Sequence, residues 1–244
     1  MFKKILITKD GKKLWVKELT KDFHTQYGFI KQKDLEKNNV VVKTNTGKEL
    51  TIFSPYFIDI YEKIKRVPQI ITLKDIGLII TETGINKNSI VVDAGAGSGA
   101  LACFLAHIVK KVYTYEIRED FTRVVKENIK LLKLKNIIVK NKDIYNGIDE
   151  KQVDLITLDL PNPEKVLKHA ENTLKVGGFL VSYSPSITQT MKFVNKLKNY
   201  NFVHLKSLEL ILREWEINGN KVRPKTKGIG HTGFLSFARR IIKT

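Results

Sequence analysis

Four carboxylates stand where this chain could concentrate chemistry: Asp93, Glu116, Asp143 and Asp159, each at or just past the end of a short β-rich run. The runs are Ser89-Ile-Val-Val-Asp93, Lys111-Val-Tyr-Thr-Tyr-Glu116, Ile137-Ile-Val-Lys140 and Val153-Asp-Leu-Ile-Thr-Leu158. Directly after Asp93 come Gly95, Gly97 and Gly99, alternating with small residues in Gly95-Ala-Gly-Ser-Gly-Ala100-Leu101, where a helical pattern begins. Glycine turns the backbone sharply and lets a ligand approach closely, because no Cβ intervenes. An acid closing the second run suits a ribose, since a carboxylate accepts hydrogen bonds from both hydroxyls. In open α/β sheets ligands sit outside the carboxyl ends of the strands, so the four acids can converge on one crevice.

Several ligands compete for such a crevice. No Walker lysine follows the glycines, which argues against nucleoside triphosphate hydrolysis. The run Gly95 to Ala100 satisfies G-x-G-x-x-G/A, and Glu116 lies about where a dinucleotide's ribose acid would, so the first two strands leave a dinucleotide open. For any single acid the plain alternative is a helix cap or a solvated loop end.

The elements that must position these residues follow from periodicity. Residues 1–55 read as a small β-rich domain, with a hairpin over Val40–Ile52 turning at Asn45-Thr46-Gly47. Residues 56–67 read as a connecting helix within Pro55–Arg66, and 68–244 as a catalytic domain. Helices alternate with strands from Pro68 onward, implying α/β architecture with a mostly parallel sheet. The helix Glu119–Leu132 places Phe121, Val124, Val125, Ile129 and Leu132 near one face. Gly177-Gly178 precedes a strand Phe179–Tyr183, and Phe202–Leu212 with Thr232–Arg240 reads as an antiparallel C-terminal pair at the sheet edge.

Composition narrows the class. A 42% hydrophobic and 28% charged chain is that of a globular protein. No apolar stretch approaches the roughly 20 residues of a membrane span, and Met-Phe-Lys-Lys-Ile-Leu-Ile is too quickly charged for a secretory signal. The expected compartment is the cytoplasm. The lone Cys103 reads as a small buried hydrophobe. Lys and Arg number 43 against 25 acids, a net charge of +18, which favours a polyanionic partner through counterion release. The charge clusters at Lys63-Ile-Lys-Arg66 and at Arg223-Pro-Lys-Thr-Lys227, near Arg239-Arg240.

Acids after strands one to four resemble the S-adenosylmethionine-dependent methyltransferase superfamily and its Rossmann-like fold. There the glycine loop passes the methionine moiety, the strand-two acid holds the ribose and the strand-three acid meets the adenine. The strand-four motif, here Asp159-Leu-Pro-Asn-Pro163, faces the methyl group. Further motifs, Leu212-Arg-Glu-Trp-Glu216, Arg223-Pro224, Gly230-His-Thr-Gly-Phe-Leu235, Pro185-Ser-Ile-Thr-Gln189, Arg66-Val-Pro-Gln-Ile-Ile71 with Lys74-Asp75, and Phe23-His-Thr-Gln-Tyr-Gly28, resemble the tRNA (adenine-N1)-methyltransferases that act on the T-loop. The resemblance runs in order over nearly the whole chain. It implies S-adenosylmethionine as cofactor, tRNA as partner and a homotetrameric assembly. It implies cofactor contacts from Ile71, Gly95, Gly97, Ser98, Gly99, Ala100, Leu101, Glu116, Asp143, Ile144 and Asp159. One departure stands out: the family commonly has Tyr-Pro before the Lys-Asp pair, and this chain has Thr72-Leu73.

The chemistry such an enzyme needs can be stated independently. Adenine N1 is a weak nucleophile whose lone pair must line up behind a sulfonium methyl, and methylation there leaves positive charge on the ring. A carboxylate accepting a hydrogen bond from the N6 amino group stabilises that charge as it develops, and Asp159 is the candidate. Pro161 and Pro163 stiffen its loop. His231 reads as a structural residue at least as readily as a substrate contact, and Trp215 as a core residue. The rival functions are a protein isoaspartyl methyltransferase and an RNA-binding subunit without catalysis.

Overall fold

In the computed structural model, which describes residues 2–67 and 70–242, the β-rich start of the chain pairs as its alternating apolar residues require. Its strands are β1 (Lys4–Ile7), β2 (Lys13–Val16), β3 (Phe23–Thr25), β4 (Gly28–Ile30), β5 (Val40–Lys43) and β6 (Glu49–Phe53). An antiparallel sheet of order β2-β1-β6-β5 and a β3-β4 hairpin result. Leu6, Val16, Ile30, Val42, Leu50 and Ile52 close a core with Leu35 of the short helix α1 (Gln32–Leu35). Residues up to Ile64 form one compact unit and those from Lys65 another.

Within the segment read as a connecting helix, only α2 (Phe57–Tyr61) is helical. Beyond it the backbone of Lys65 is taken by a side chain instead of a helix ladder. Its N–H donates to Asn128 Oδ1 at 2.8 Å and its carbonyl accepts from Asn128 Nδ2 at 2.8 Å. A tertiary contact thus overrides local helical preference.

The second unit begins with α3 (Leu73–Thr83) and continues β7 (Ile90–Ala94), α4 (Ala100–Ile108), β8 (Lys111–Tyr115), α5 (Glu119–Leu132), β9 (Ile137–Lys140) and β10 (Val153–Asp159). It continues α6 (Leu167–Thr173), β11 (Leu174–Ser184), α7 (Ile187–Leu197), β12 (Phe202–Glu209), β13 (Trp215–Asn218), β14 (Lys221–Pro224) and β15 (Phe234–Arg240). Seven strands form one sheet of order β12-β15-β11-β10-β7-β8-β9. The run from β11 to β9 is parallel, and β15 is antiparallel to both β11 and β12. This is the expected α/β, Rossmann-like sheet with an antiparallel C-terminal pair. The hairpin β13-β14 pairs only with itself among the described residues. No described helix is long and apolar enough to cross a membrane.

Element ends depart from the sequence reading for physical reasons. Strand β12 stops at Glu209, not Leu212, because its partner β15 starts at Phe234, opposite Glu209. Strand β11 starts at Leu174, so the glycine pair lies inside it. Gly177 has φ +82°, and a Cβ on Gly178 would stand 3.0 Å from the Lys175 carbonyl and 3.2 Å from that of Asp154. The pair sits where the β10–β11 register shifts. The buried face of α5 carries Thr122, Val125, Asn128 and Leu132, with Phe121, Val124 and Ile129 only partly covered. Cys103 is fully buried, as expected.

Candidate active site

The sheet order changes direction between β7 and β10: the chain runs from β7 outward through β8 and β9, then returns to place β10 on the other side. That switch point leaves a crevice at the carboxyl ends of the strands. The loop after β7 and the end of β10 meet there very closely. A Cβ on Gly95, whose φ is +82°, would lie 2.0 Å from the carbonyl oxygen of Asp159. Gly97 (φ +54°) and Gly99 (φ +75°) also occupy the left-handed region, and Gly99 packs so near Val125 that a Cβ would stand 2.8 Å from its Cγ1. The glycine loop is therefore held by β10, by α5 and by β8, whose Tyr115 carbonyl accepts from the Gly95 N–H at 3.1 Å.

Asp93, at the loop's base, is 2% exposed and accepts hydrogen bonds from Thr114 (2.7 Å) and Thr157 (2.8 Å), on the strands flanking β7. Burial pushes its carboxyl up to about 6, opposed by the two hydroxyls and aided by the nearby Glu116. Asp159, the last residue of β10, faces the same crevice. Burial and then the charge of Asp93 push it up to about 7. Among the described residues none donates a hydrogen bond to its carboxylate. Ile71, Gly95, Gly97, Ser98, Ala100 and Leu101 complete the crevice wall.

Glu116 is buried and turned toward the glycine loop. Its Oε2 accepts from the Gly97 N–H at 2.9 Å and its Oε1 from the Arg118 N–H at 3.0 Å. Each oxygen keeps a further acceptor position, so the side chain can orient the loop and still take hydroxyls. Asp143 caps the short 3₁₀ turn Ile144–Asn146 by accepting from the Tyr145 N–H at 2.9 Å. The side chain of Ile144 is buried in the main core cluster with Tyr115 and Ile148. Gly99, Glu116, Asp143 and Ile144 thus lie outside the immediate crevice wall, Gly99 against α5, Glu116 joined to it through the Gly97 N–H, and the other two beyond the end of β9.

Other predicted residues fall elsewhere. Trp215, expected in the core, is 54% exposed on β13, because its hairpin pairs with no larger sheet among the described residues. His231 is exposed and held between Glu209 Oε1 (2.6 Å) and the Pro185 carbonyl (3.0 Å), and these two acceptors raise its pKa. Thr72 donates to Asp75 Oδ2 at 2.8 Å, where the family's tyrosine was expected. Sequence reasoning missed Asn128, which joins the Ser98 carbonyl (2.8 Å) to the backbone of Lys65. A polar residue in the apolar stripe of α5 was the available signal. It also missed Tyr183, opposite Asp159 in the β10–β11 register.

Three carboxylates around one glycine loop favour a cationic ligand and disfavour a pyrophosphate. That weighs against the dinucleotide alternative. No cluster of His, Cys, Asp and Glu able to hold a metal occurs among the described residues.

The model of the family described as "tRNA methyltransferase complex GCD14 subunit" matches residues 62–223. The chain belongs to this family. A Methanocaldococcus jannaschii protein described as tRNA (adenine(57)-N(1)/adenine(58)-N(1))-methyltransferase TrmI is 37% identical, over 97% of this chain and 94% of its own length. A Thermus thermophilus tRNA (adenine(58)-N(1))-methyltransferase TrmI is 32% identical over 82% of this chain and 80% of its length. Among solved structures, a SAM-dependent O-methyltransferase from Thermotoga maritima superposes with a TM-score of 0.86 at 29% identity, covering 100% of this chain and 94% of its own. Membership of the GCD14 family and this fold imply use of S-adenosylmethionine.

Proposed function

We propose that the chain is a cytoplasmic enzyme that transfers a methyl group from S-adenosylmethionine to adenine N1 in the T-loop of tRNA. The observation that carries this reading is Asp159: a desolvated carboxylate with no hydrogen-bond donor among the described residues, at the mouth of a glycine-lined crevice. The crevice fits the cofactor. Its glycine cradle would be filled by a Cβ at Gly95, and Asp93 and Asp159 supply the negative charge a sulfonium and an ammonium require. In this reading the methionine moiety lies along Gly95, Gly97 and Ser98 beside Ala100 and Leu101, with Ile71 covering it. Glu116 takes the ribose hydroxyls, and Asp143 with the Ile144 backbone borders the adenine. When bound, the cofactor supplies an electrophilic methyl on a cationic sulfur.

The protein's own part is to position and to stabilise. Asp159, ionised, accepts a hydrogen bond from the N6 amino group and so holds N1 toward the crevice. As positive charge spreads over the ring, the same carboxylate stabilises it in a site that excludes water. Alignment contributes further, on the order of 7–11 kcal/mol at best. The test is incubation with labelled S-adenosylmethionine and unmodified tRNA, followed by nucleoside mapping. N1-methyladenosine in the T-loop supports the reading; methylation of an isoaspartyl peptide, or tRNA binding with no transfer, refutes it.

Two predictions arise here. Replacing Glu116 with alanine removes the acceptor for both the ribose and the Gly97 N–H, so cofactor affinity should fall on the order of 10²-fold, two hydrogen bonds to a charged group. Calorimetric titration of S-adenosylmethionine measures it, and an unchanged affinity would contradict the ribose assignment.

The second concerns assembly, which we propose is homo-oligomeric. On β13 and β14, Trp215 stands opposite Pro224 and Ile217 opposite Val222, so period-2 alternation gathers these four on one apolar face. The other face carries Glu216 paired with Lys221 (2.7 Å) and Arg223 (3.3 Å). Trp215, Ile217 and Val222 are all more than half exposed. A lone two-stranded hairpin with such a face is marginal in water. Ile217→Glu should therefore shift the mass seen by light scattering toward smaller species. An unchanged mass would remove the hairpin from the interface.

A further inference from the structure

A buried polar cluster adjoins Tyr183, the register partner of Asp159, and is not explained by cofactor binding. Lys74 and Asp75, at the start of α3, are 9% and 1% exposed and pair at 2.7 Å. Asp75 Oδ2 also accepts from Thr72 (2.8 Å) and from the hydroxyl of Thr232 (3.0 Å). The Thr232 hydroxyl in turn accepts from Lys74 Nζ at 2.6 Å. Every polar group of this cluster is therefore engaged, and the segment preceding β15 is fastened to the N-terminus of α3.

The cluster reaches Tyr183, the strand neighbour of Asp159. The Tyr183 hydroxyl donates to the Thr232 carbonyl at 2.5 Å. Its ring packs so closely on Gly233 that a Cβ there would stand 2.5 Å from the ring's Cζ. Tyr183 and Asp159 are register partners on adjacent parallel strands, so their side chains leave the same face of the sheet. Burial pushes the phenol up to about 12, opposed by its bond to Thr232 and aided by the charges of Asp75 and Asp159.

We propose that Asp75 and Thr232 are positioning residues for methyl transfer: they clamp Tyr183 against Thr232 and Gly233, where its ring keeps water from Asp159. A clamp of this kind explains why a lysine–aspartate pair is buried in a segment that has no contact with the glycine loop among the hydrogen bonds of the crevice. Only the link to catalysis rests on the tRNA methyltransferase reading; the clamp itself does not.

The test uses Thr232→Val, which keeps shape and backbone while removing both hydroxyl contacts, with Thr232→Ser as the conservative variant. The first readout is carbon-13 NMR titration of the Asp159 carboxyl in the free protein, which needs no substrate. The ionisable groups that act on it are Asp93 on β7, which raises it, and Tyr183 on β11, itself under the charge of Asp75. A loosened ring admits water and relieves the burial that pushes Asp159 up to about 7, so Thr232→Val should lower its midpoint and Thr232→Ser should restore it. The second readout is kinetic: kcat on tRNA should fall at least about tenfold in Thr232→Val with the KM for S-adenosylmethionine unchanged, as misplacement near a reacting centre requires. An Asp159 midpoint identical in all three proteins overturns the clamp. So does a kcat loss matched by an equal loss of cofactor affinity, the mark of a merely structural role. If wild type transfers no methyl to tRNA while the midpoint still moves, the functional reading fails and the clamp stands.

Discussion

Asparagine in place of Asp159 is expected to lower kcat for adenosine methylation on the order of 10²–10³-fold, the scale of losing one preorganised electrostatic contact in a dry site. The amide keeps the shape of the carboxylate but offers the N6 amino group no negative charge. S-adenosylmethionine affinity should change much less, since Asp93 and Glu116 remain. The pH profile gives an independent check. Burial and then the charge of Asp93 push the Asp159 carboxyl up to about 7, and its ionised form is the acceptor. Cofactor kcat/KM should therefore rise with pH through about 7 and level off above it. A bound sulfonium favours the carboxylate, so the corresponding limb in kcat should lie at lower pH. In Asp159→Asn the limb near 7 should vanish from kcat/KM, leaving that of Asp93 near 6, and the limb in kcat should be lost. A variant that keeps wild-type kcat, or that keeps those two limbs, would remove Asp159 from the chemistry.

Gly95→Ala should be nearly as damaging, by a different route. The new methyl would stand 2.0 Å from the backbone oxygen of Asp159, and a φ of +82° is itself unfavourable for alanine. The left-handed backbone costs about 1–2 kcal/mol. The clash adds to this, because backbone cannot turn aside as a flexible side chain can. Loop and strand end must separate, so cofactor affinity and methyl transfer should fall together, each on the order of 10²-fold or more. Two other glycines calibrate the result. Gly97→Ala carries the φ penalty with its nearest outside atom, Val67 Cγ2, at an ordinary 3.6 Å. Gly84→Ala, at the end of α3, carries a φ of +62° with nothing within 4 Å. The expected order of damage measured by cofactor titration is Gly95, then Gly97, with Gly84 affecting only thermal stability. Equal cofactor affinity in the Gly95 and Gly84 variants would show that the close approach has no part in binding.

Much of this molecule was legible in the amino-acid order. Strands β7 to β10 are short β-branched runs, and each ends in or near an acid, so local composition placed Asp93, Glu116 and Asp159 at strand ends before any topology was known. Glycine needs no tertiary help to announce a left-handed turn, and Gly95, Gly97 and Gly99 all adopt one. The hairpin at Asn45-Thr46-Gly47 is likewise a local matter, with Gly47 at φ +86°.

Residues whose role depends on distant partners were not legible. Trp215 looks like core by type, yet lies exposed because nothing in its own hairpin covers it. Lys65 left its expected helix because a side chain 63 positions away took its backbone. Asp143 reads as a ligand by position, and folding gave it a capping bond as well. Lys74 and Asp75, Tyr183 and Thr232 are ordinary residues in three separate segments, and only the tertiary fold joins them beside the strand end that carries Asp159. Sequence by itself determined which residues could turn, bury or carry charge, since those are properties of side chain and φ. Tertiary structure decided which carboxylates lose their water, because desolvation depends on what the rest of the chain packs around them.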